Sequence, residues 1–356
     1  MEHAMKHPSI LVTGGAGYVG SALVPRLLHL GYRVRVLDLF WYGREALASC
    51  VEHPRLELIE GDLRDRELVN RAVGGAGEGR PGVDAVLHLA CISNDPSFEL
   101  APTLGRSINL DSFPGLVEAS LRSGVKRFIY ASSSSIYGVK KEPRVQEDAS
   151  PDPLTDYSRF KLQCEQTLLE MCSAAGGPEA TVPIIVRPAT VCGYAPRLRL
   201  DLTVNILTAH ALERGLIRVF GGSQLRPNLH IKDMVAAYEC LLEAPAEKVH
   251  GEAFNIGYEN FAVGDIADKV RSVLAAEGSQ DKPGAEVEIR VEPSDDLRSY
   301  HIDSSKVRRV LGFIPRHTLE DAVRDLAAAY RAGKIMDPLE NPRYHNIRRM
   351  KEILGG

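Results

Sequence analysis

The chain has 356 residues, 44% hydrophobic and 25% charged, a balance typical of a globular protein rather than a disordered or fibrous one. A net charge of −4 without a long basic run argues against nucleic-acid binding, and no apolar stretch approaches the ~20 residues that span a bilayer. The six cysteines are scattered, with no Cys-x-x-Cys and no Cys/His cluster. We therefore expect reduced thiols, no metal site and a cytoplasmic protein without a signal peptide.

The first half of the chain alternates strand-like apolar runs with helical periods. The predicted strands are SILVTG (9–14), YRVRVLD (32–38), RLELIEGD (55–62), VDAVLHLA (83–90), VKRFIYASS (125–133) and VPIIVRPAT (182–190). Helices are predicted over 18–31, 104–124 and 156–176, and Asp65 is predicted to cap another. Such alternation implies right-handed crossovers and a parallel, doubly wound sheet, so we predict a Rossmann-type α/β domain over 9–190.

The alternation becomes sparse after residue 190. Helices are predicted over 203–215, 230–244, 263–278 and 319–333, and strands over 217–222 and 251–257. We predict a smaller substrate-binding lobe over 191–330, laid on the carboxyl edge of the sheet, with segments near 228–260 returning to the first domain. Residues 331–356 are predicted to be a tail, to which the sequence assigns no role.

A glycine pattern follows the first strand and opens the first helix. In VTGGAGYVG, Gly14, Gly17 and Gly20 allow a tight turn, approach of a pyrophosphate and close helix packing, and the helix N-terminus favours the anion. Asp38 ends the second strand, where a carboxylate binds ribose hydroxyls and repels a 2′-phosphate. The sequence thus predicts NAD rather than NADP, and Arg44 is the one nearby basic residue that could offset Asp38.

The segment TDYSRFK places a tyrosine and a lysine on one helical face. Tyr157 and Lys161 are four residues apart, a spacing that is also common by chance. The spacing by itself therefore leaves open whether the two side chains transfer protons or simply belong to a helix surface.

Several motifs together resemble the extended short-chain dehydrogenase/reductase superfamily, especially its NAD-dependent nucleotide-sugar epimerases and dehydratases. They are TGGAGYVG, LDLF, GDLRD, LHLACIS, SINLD, ASSSSIYG, YSRFK, RPATVCG and RPNLHIKDMVAAY, in the family's order over roughly residues 9–330. The resemblance implies a cofactor site formed by Gly14, Gly17, Tyr18, Val19, Gly20, Asp38, Leu39, Asp62, Leu63, Leu89, Ala90, Ile92, Asn109, Tyr157, Lys161 and Pro188.

The same resemblance implies three catalytic residues. Tyr157 would transfer the proton of a sugar hydroxyl, Lys161 would bind the nicotinamide ribose, and Ser133 would align the reacting oxygen. A free phenol has a pKa of ~10, and lowering it by two units requires ~2.7 kcal/mol. Since burial alone raises a phenol pKa, the nearby cations must dominate.

The residues after Ser133 restrict the chemistry that the resemblance implies. Ser134 and Ser135 stand where the 4,6-dehydratases carry Asp and Glu, and Ser135 stands where other epimerases use Cys. The remaining chemistries are 4-epimerisation, which we favour because Asp38 implies retained NAD, and reduction or oxidation of a keto-sugar. Thr190 stands where epimerases commonly have Asn, so a keto-sugar reductase is kept as an alternative function. A non-catalytic dinucleotide-binding protein is a third alternative.

A nucleotide-diphosphate sugar is the expected ligand of the second lobe, with no nucleic-acid or membrane partner. The predicted substrate contacts are Ser133, Thr190, Asn205, Arg226, Arg298 and Tyr300. Arg197 and Arg199 are further candidates, because a guanidinium binds phosphate through two hydrogen bonds. The resemblance also implies a homodimer formed by the helices around 104–123 and 157–175.

Overall fold

The computed structural model describes residues 8–75, 81–142, 144–176, 181–277, 287–294 and 299–355. The chain divides into two compact units, each assembled from separate stretches. Unit 1 comprises Met1–Ile136, Pro153–Arg187 and Val235–Phe254, and unit 2 comprises Tyr137–Asp152, Pro188–Met234 and Asn255–Gly356.

The strands of the described residues follow one another in chain order. They are β1 (Ser9–Thr13), β2 (Arg33–Asp38), β3 (Leu56–Glu60), β4 (Ala85–His88), β5 (Arg127–Ala131), β6 (Val182–Pro188), β7 (Thr190–Cys192), β8 (Leu216–Phe220), β9 (Leu225–His230), β10 (Glu252–Ile256), β11 (Glu259–Ala262) and β12 (Glu288–Glu292).

The α-helices of the same residues are numbered in the same way. They are α1 (Tyr18–His29), α2 (Arg66–Gly74), α3 (Asp95–Leu100), α4 (Pro102–Arg106), α5 (Phe113–Arg122), α6 (Asp156–Ala175), α7 (Thr203–Arg214), α8 (Ile231–Glu243), α9 (Ala246–Val249), α10 (Val263–Ala276), α11 (Ser305–Leu311), α12 (Leu319–Arg331) and α13 (Asn346–Gly355).

A seven-stranded sheet confirms the predicted doubly wound α/β fold. Its order is β10-β6-β5-β4-β1-β2-β3, and β1 through β6 pair in parallel. The order reverses at β1, since β2 and β3 lie on one side of it and β4 and β5 on the other. In such sheets the carboxyl ends of the strands at the reversal flank the crevice where a dinucleotide binds.

The core of unit 1 explains why its strands are continuous apolar runs. Every residue of β1 and of β4 is buried, because helices cover both faces of a parallel sheet. Phe113 and Leu116 of α5 and Leu168 of α6 pack into the same core. Burial of each such side chain contributes roughly 1.5–3 kcal/mol.

The prediction of a single helix over 104–124 is wrong in detail. The chain instead forms α4, a π-helical turn at Ser107–Asp111 and α5. Pro114 lies in the first turn of α5, where its missing N–H costs no helical hydrogen bond. The π turn holds Asn109 with its side chain buried, and π turns occur frequently at functional sites.

Unit 2 has two smaller sheets and its own core. β9 pairs with β11 antiparallel and with β7 in parallel, while β8 pairs with β12 in parallel. The core is formed by apolar side chains of α7, α10 and α12 with Ile217 and Val219 of β8. The sequence did not predict β9, β11 or β12, since Pro227 lies inside β9 and β12 is a strand of only five residues that are exposed or half-buried throughout.

The described part of the predicted tail is folded and belongs to unit 2. The amide of Leu200 donates to the carbonyl of Tyr344 at 2.8 Å, and the Arg197 guanidinium donates to the side chain of Asn346. Tyr344 and Met350 are buried. This segment therefore anchors the loop that precedes α7.

The described residues contain neither a membrane-spanning helix nor a metal-binding cluster. None of their helices is long and apolar enough to cross a membrane. Within the same residues, no group of three or more His, Cys, Asp or Glu side chains could hold a metal ion.

Candidate active site

The turn between β1 and α1 leaves no room for side chains. Gly14 has φ +71°, and a Cβ placed there would lie 2.7 Å from the Cα and N atoms of Ala90, which follows β4. A Cβ at Gly20 would lie 2.5 Å from the carbonyl oxygen of Gly15. The backbone is thus exposed at the N-terminus of α1, where free N–H groups and the helix dipole favour a phosphate. Tyr18 and Val19, two further predicted cofactor residues, begin that helix.

Asp38 connects the end of β2 to this turn. Its Oδ2 accepts the Ala16 N–H at 2.9 Å and its Oδ1 accepts the Phe40 N–H at 2.7 Å. Leu39, the neighbouring predicted cofactor residue, is half-buried. The carboxylate therefore lies at the carboxyl edge of the sheet, on the same side as the glycine turn, which is the position that its predicted ribose contact requires.

Arg44, the residue that could have favoured a 2′-phosphate, is already paired. Its guanidinium binds the carboxylate of Glu60 and lies 4.6 Å from the ring centroid of Phe40. The Arg44 charge, which could have attracted a 2′-phosphate, is thus compensated by an acid on β3.

Asp62 and Leu63, two further predicted cofactor residues, follow β3. Burial raises the pKa of the Asp62 carboxyl, but the hydrogen bonds and charge of Arg64 lower it more, so the net pKa is below its ordinary value. Leu63 is buried. Asp65 caps α2 as predicted, accepting the Leu68 N–H at 3.0 Å.

Asn109 holds the loop after β4 in place. Its Oδ1 accepts the Ile92 N–H at 2.8 Å and its Nδ2 donates to the Ile92 carbonyl at 2.9 Å. Leu89, Ala90 and Ile92 therefore have a backbone fixed from two sides, by Asn109 and by the close approach of Gly14.

Tyr157 and Lys161 lie one turn apart near the N-terminus of α6. The Lys161 Nζ donates to the carbonyl of Ala131 at 2.6 Å and lies 5.9 Å from the Tyr157 ring centroid. The start of α6 is fixed by the side chain of Thr155, which accepts the Ser158 N–H at 3.3 Å and donates to Asp95 at 2.6 Å. The ammonium is thus held within reach of the phenol by the end of β5.

The groups around Lys161 are kept neutral. Burial, reinforced by the positive charge of Lys161, lowers the pKa of His88 to about 3. Burial raises the pKa of Cys164 to about 11, although Lys161 opposes this shift. His88 donates to or accepts from Thr13 Oγ1 at 2.7 Å and stacks on Tyr130, whose ring lies 5.0 Å from the Lys161 Nζ. Near neutral pH, Lys161 is therefore charged while His88 and Cys164 beside it are neutral.

Ser133 is oriented by Ser135. The Ser133 Oγ accepts the Ser135 N–H at 3.1 Å and lies 2.8 Å from the Ser135 Oγ. When both Ser135 groups donate, the lone pairs of Ser133 are occupied and its own O–H is directed outward. Such a hydroxyl is suited to donate to a sugar oxygen.

The predicted substrate residues of unit 2 fall into two groups. The Arg226 guanidinium lies 5.2 Å from the ring centroid of Tyr300, and Thr190 begins β7. Asn205 is fully buried and bridges the Gly193 N–H and the Arg199 carbonyl, each at 2.9 Å. Arg298 lies outside the described residues. The structure thus brings Arg226 and Tyr300 together, whereas the Asn205 amide fixes a loop.

Two further phosphate candidates are engaged in other interactions. Arg199 forms two hydrogen bonds with Asp201, at 3.0 and 2.6 Å, and Arg197 is buried against Asn346. Burial raises the pKa of Asp201, but the charge and hydrogen bonds of Arg199 lower it more. Both arginines therefore hold the loop before α7.

The sequence missed one buried charged group in unit 1. Glu165 of α6 and Arg187 of β6 form a bidentate ion pair, and Ser132 donates to the same carboxylate. A lone Glu and a lone Arg 22 residues apart carry no local signal. The position of Glu165, one turn after Lys161 on the same face of α6, was the only available hint.

Fold and site together define a dinucleotide-dependent enzyme of the short-chain dehydrogenase type. The glycine turn that excludes Cβ atoms and the carboxylate of Asp38 fit an NAD molecule. The model of the NAD dependent epimerase/dehydratase family matches residues 10–257, and the chain belongs to this family. NAD is therefore its cofactor.

Known relatives agree with this assignment and differ in reaction. The chain is 27% identical to the UDP-glucose 4-epimerase of Lactobacillus helveticus, over 91% of this chain and 97% of that protein. It is 28% identical to UDP-glucuronic acid decarboxylase 1 of Arabidopsis thaliana, over 92% and 70%. The structure of Thermotoga maritima UDP-glucose 4-epimerase with UDP-glucose superimposes with a TM-score of 0.77, at 26% identity over 91% and 99%. The chain is thus an enzyme of this family, and its relatives include enzymes named for UDP-glucose and UDP-glucuronic acid.

Proposed function

We propose that this protein interconverts a nucleotide-diphosphate hexose and its C4 epimer through a transient 4-keto sugar. The observation that carries the proposal is the sequence Ser133-Ser134-Ser135 just after β5, the strand whose last carbonyl binds Lys161. The site has the groups for removing and returning hydrogen at one carbinol, and Ser134 and Ser135 add no further acid or base.

The proposed reaction assigns each side chain one task. Tyr157, as phenolate, takes the proton of the C4 hydroxyl, and the Lys161 ammonium stabilises the phenolate. Ser133 donates a hydrogen bond to the reacting oxygen and keeps it aligned with Tyr157. NAD, when bound, supplies a reversible acceptor for the C4 hydrogen and its electron pair. Once the keto sugar presents its other face, that hydrogen returns to C4 and Tyr157 returns the proton to oxygen.

Elimination and decarboxylation receive less support from the same residues. Loss of water across C5 and C6 needs an acid and a base, and serine hydroxyls do not ionise near neutral pH. The Ser135 hydroxyl and amide are also bound to Ser133, at 2.8 and 3.1 Å. We therefore assign Ser135 to orienting Ser133.

The experiment uses purified protein, a panel of nucleotide-diphosphate hexoses and no added cofactor. We expect a C4 epimer at equilibrium, detected by proton NMR, and a Tyr157→Phe variant at least ~100-fold slower. A requirement for stoichiometric NADH or NADPH would replace the epimerase by a keto-sugar reductase. Bound NAD without turnover of any sugar would indicate a non-catalytic protein.

Two parts of the proposal rest on the resemblance. The diphosphate would be bound by Arg226, with Tyr300 packed against its guanidinium at 5.2 Å. A homodimer would form through the helices around 104–123 and 157–175. Analytical ultracentrifugation of the protein tests the dimer, and a single monomeric species would contradict it.

A further inference from the structure

Helix α6 holds the end of β5 at two successive residues. Lys161 donates to the carbonyl oxygen of Ala131 at 2.6 Å. One turn later, Glu165 accepts a hydrogen bond from the Ser132 hydroxyl. Because residues four apart share a helical face, Tyr157, Lys161 and Glu165 lie in one row along α6.

The second attachment is a buried ion pair. Glu165 and Arg187 are 3% and 7% exposed. The Arg187 Nε and Nη2 donate to the two carboxylate oxygens of Glu165 at 3.0 and 2.7 Å. The backbone N–H of Ser132 donates to the Val186 carbonyl of β6 at 2.8 Å. Ser132 is therefore fixed both to α6 and to β6.

A bidentate pair restricts motion more than apolar packing does. Two parallel N–H···O bonds define both the position and the rotation of the carboxylate, whereas apolar side chains can slide past one another. Removing two charges from water is costly, so the same site filled with apolar residues is often at least as stable. The pair is thus better explained by the geometry it imposes than by stability.

We propose that Ser132, Glu165 and Arg187 form a clamp that sets the position of Ser133 relative to Tyr157. Ser133 directly follows Ser132 in the segment after β5, and Tyr157 lies two turns before Glu165 on α6. The three residues are positioning residues, and their role rests on the proposed proton transfer by Tyr157.

The clamp also affects the electrostatic surroundings of Tyr157, because its two charges cancel. Arg187 neutralises a carboxylate that would otherwise counteract Lys161 and disfavour the Tyr157 phenolate. The pair therefore keeps the geometry of a charged contact without adding net charge near the phenol. Among the described residues, other titratable groups near Tyr157 and Lys161 include His88, Cys91, Tyr130 and Cys164. Asp156 and Arg159 lie in the first turn of α6, and Asp95 of α3 is bonded to Thr155 just before it.

The mildest test is Ser132→Ala, which removes one hydrogen bond and leaves the ion pair intact. We expect kcat to fall about tenfold, with unchanged KM, bound NAD and melting temperature, since small misplacement of reacting groups slows chemistry. Ser132→Thr should restore activity. The matched control is Ser120→Ala, which removes another fully buried hydroxyl of unit 1, bonded to the Leu116 carbonyl at 2.8 Å. Equal kcat in the Ser132→Ala and Ser120→Ala variants would overturn the clamp.

Charge variants separate a positioning role from a merely structural one. Arg187→Gln leaves a negative charge and should raise the pKa of Tyr157, while Glu165→Gln leaves a positive charge and should lower it. The combined Glu165→Gln/Arg187→Gln variant should return the pKa towards the wild-type value while kcat stays low. Shifts of the same sign in both single variants, or a fully active double variant, would contradict the proposal.

The Tyr157 pKa is measured by phenolate absorbance as a difference between each background and its Tyr157→Phe counterpart. This readout needs no turnover, so it tests the charge balance even if the protein does not epimerise sugars. Absence of epimerisation by the wild-type protein would instead count against the proposed function. Unchanged phenol titration in both charge variants would count against the clamp alone.

Discussion

Two cationic side chains, one in each unit, show how differently a positive charge is used in this molecule. Lys161 in unit 1 binds a backbone carbonyl and faces the rings of Tyr130 and Tyr157. In the part of the chain that the structure describes, no carboxylate lies within ion-pair distance of Lys161. Arg199 in unit 2 is instead neutralised by Asp201. A buried cation held by a carbonyl keeps its field for a ligand or a phenol, whereas a paired cation stabilises a loop.

Lys161→Met should have the largest effect. Without the ammonium, the Tyr157 phenolate loses its main stabilisation, so we expect kcat to fall by about 10³ and the acidic limb of the pH–rate profile to move to higher pH. The measurement is kcat against pH for the sugar that the wild type epimerises. An unchanged pH–rate profile in the Lys161→Met variant would contradict the role that distinguishes Lys161 from Arg199.

Arg199→Met is the counterpart in unit 2. It leaves Asp201 as a largely buried charge without its guanidinium, so we expect a loss of roughly 3–5 kcal/mol in the free energy of unfolding. Activity per folded molecule should change little. Denaturant unfolding and kcat, measured on the same preparation, would show whether the two cations differ in this way.

Gly14→Ala should weaken both stability and NAD binding. Its φ of +71° costs an alanine about 1 kcal/mol, and the added Cβ would meet Ala90 backbone atoms at 2.7 Å, adding about 1–3 kcal/mol. Gly124→Ala is a matched control, because φ is +67° and nothing lies within 4 Å. Equal unfolding free energies and equal NAD affinities in the two variants would remove the crowding argument.

His88→Asn should make the protein more resistant to acid. Burial and Lys161 lower the pKa of His88 to about 3, so between about pH 6.5 and 3 the unfolded chain binds a proton that the folded chain does not. Stability is then lost as the pH falls, by about 2 kcal/mol between pH 7 and pH 5 for this residue. The variant should lack this part of the pH dependence. A His29→Asn variant, at an exposed histidine, serves as the control. Identical pH–stability curves for the two variants would show that His88 does not cause this loss of stability in acid.

Arg226→Ala should have the smallest effect. If Arg226 binds the diphosphate, KM for the nucleotide sugar should rise about tenfold, equivalent to roughly 1.4 kcal/mol, while NAD affinity stays unchanged. Isothermal titration calorimetry with the nucleoside diphosphate and with NAD measures the two affinities separately. Equal losses for both ligands would argue against a substrate role.

The two units also differ in how far their sequence reveals them. The strands of unit 1 are mostly apolar runs between glycines and helices, so β1 through β6 were all predicted. In unit 2, β9 contains Pro227, which argues against a strand, whereas β12 alternates Glu and Arg with Ile and Val, a strand pattern that was missed because it is only five residues long. Their pairing is decided by tertiary contacts, which local sequence does not encode.

The candidate site shows the same limit. Glycines and the Tyr157–Lys161 spacing are local features, and both were recognised. The bond between Ser133 and Ser135 and the Asn109 bridge to Ile92 depend on turns whose geometry appears only in the folded chain. Charged residues such as Glu165 are expected on a solvent-exposed helix face. The burial of Glu165 can be understood only from the folded chain, where Arg187 of β6 forms an ion pair with it.

The most direct test of the central claim is the fate of hydrogen at C4. Purified protein is incubated in ordinary water with a nucleotide-diphosphate hexose that carries deuterium at C4, and both epimers are examined by NMR and mass spectrometry. The account predicts that the product epimer keeps its deuterium at C4 and that the Tyr157→Phe variant forms it at least ~100 times more slowly. Deuterium lost to water, or a Tyr157→Phe variant as fast as wild type, would contradict hydrogen removal and return at one carbon through Tyr157.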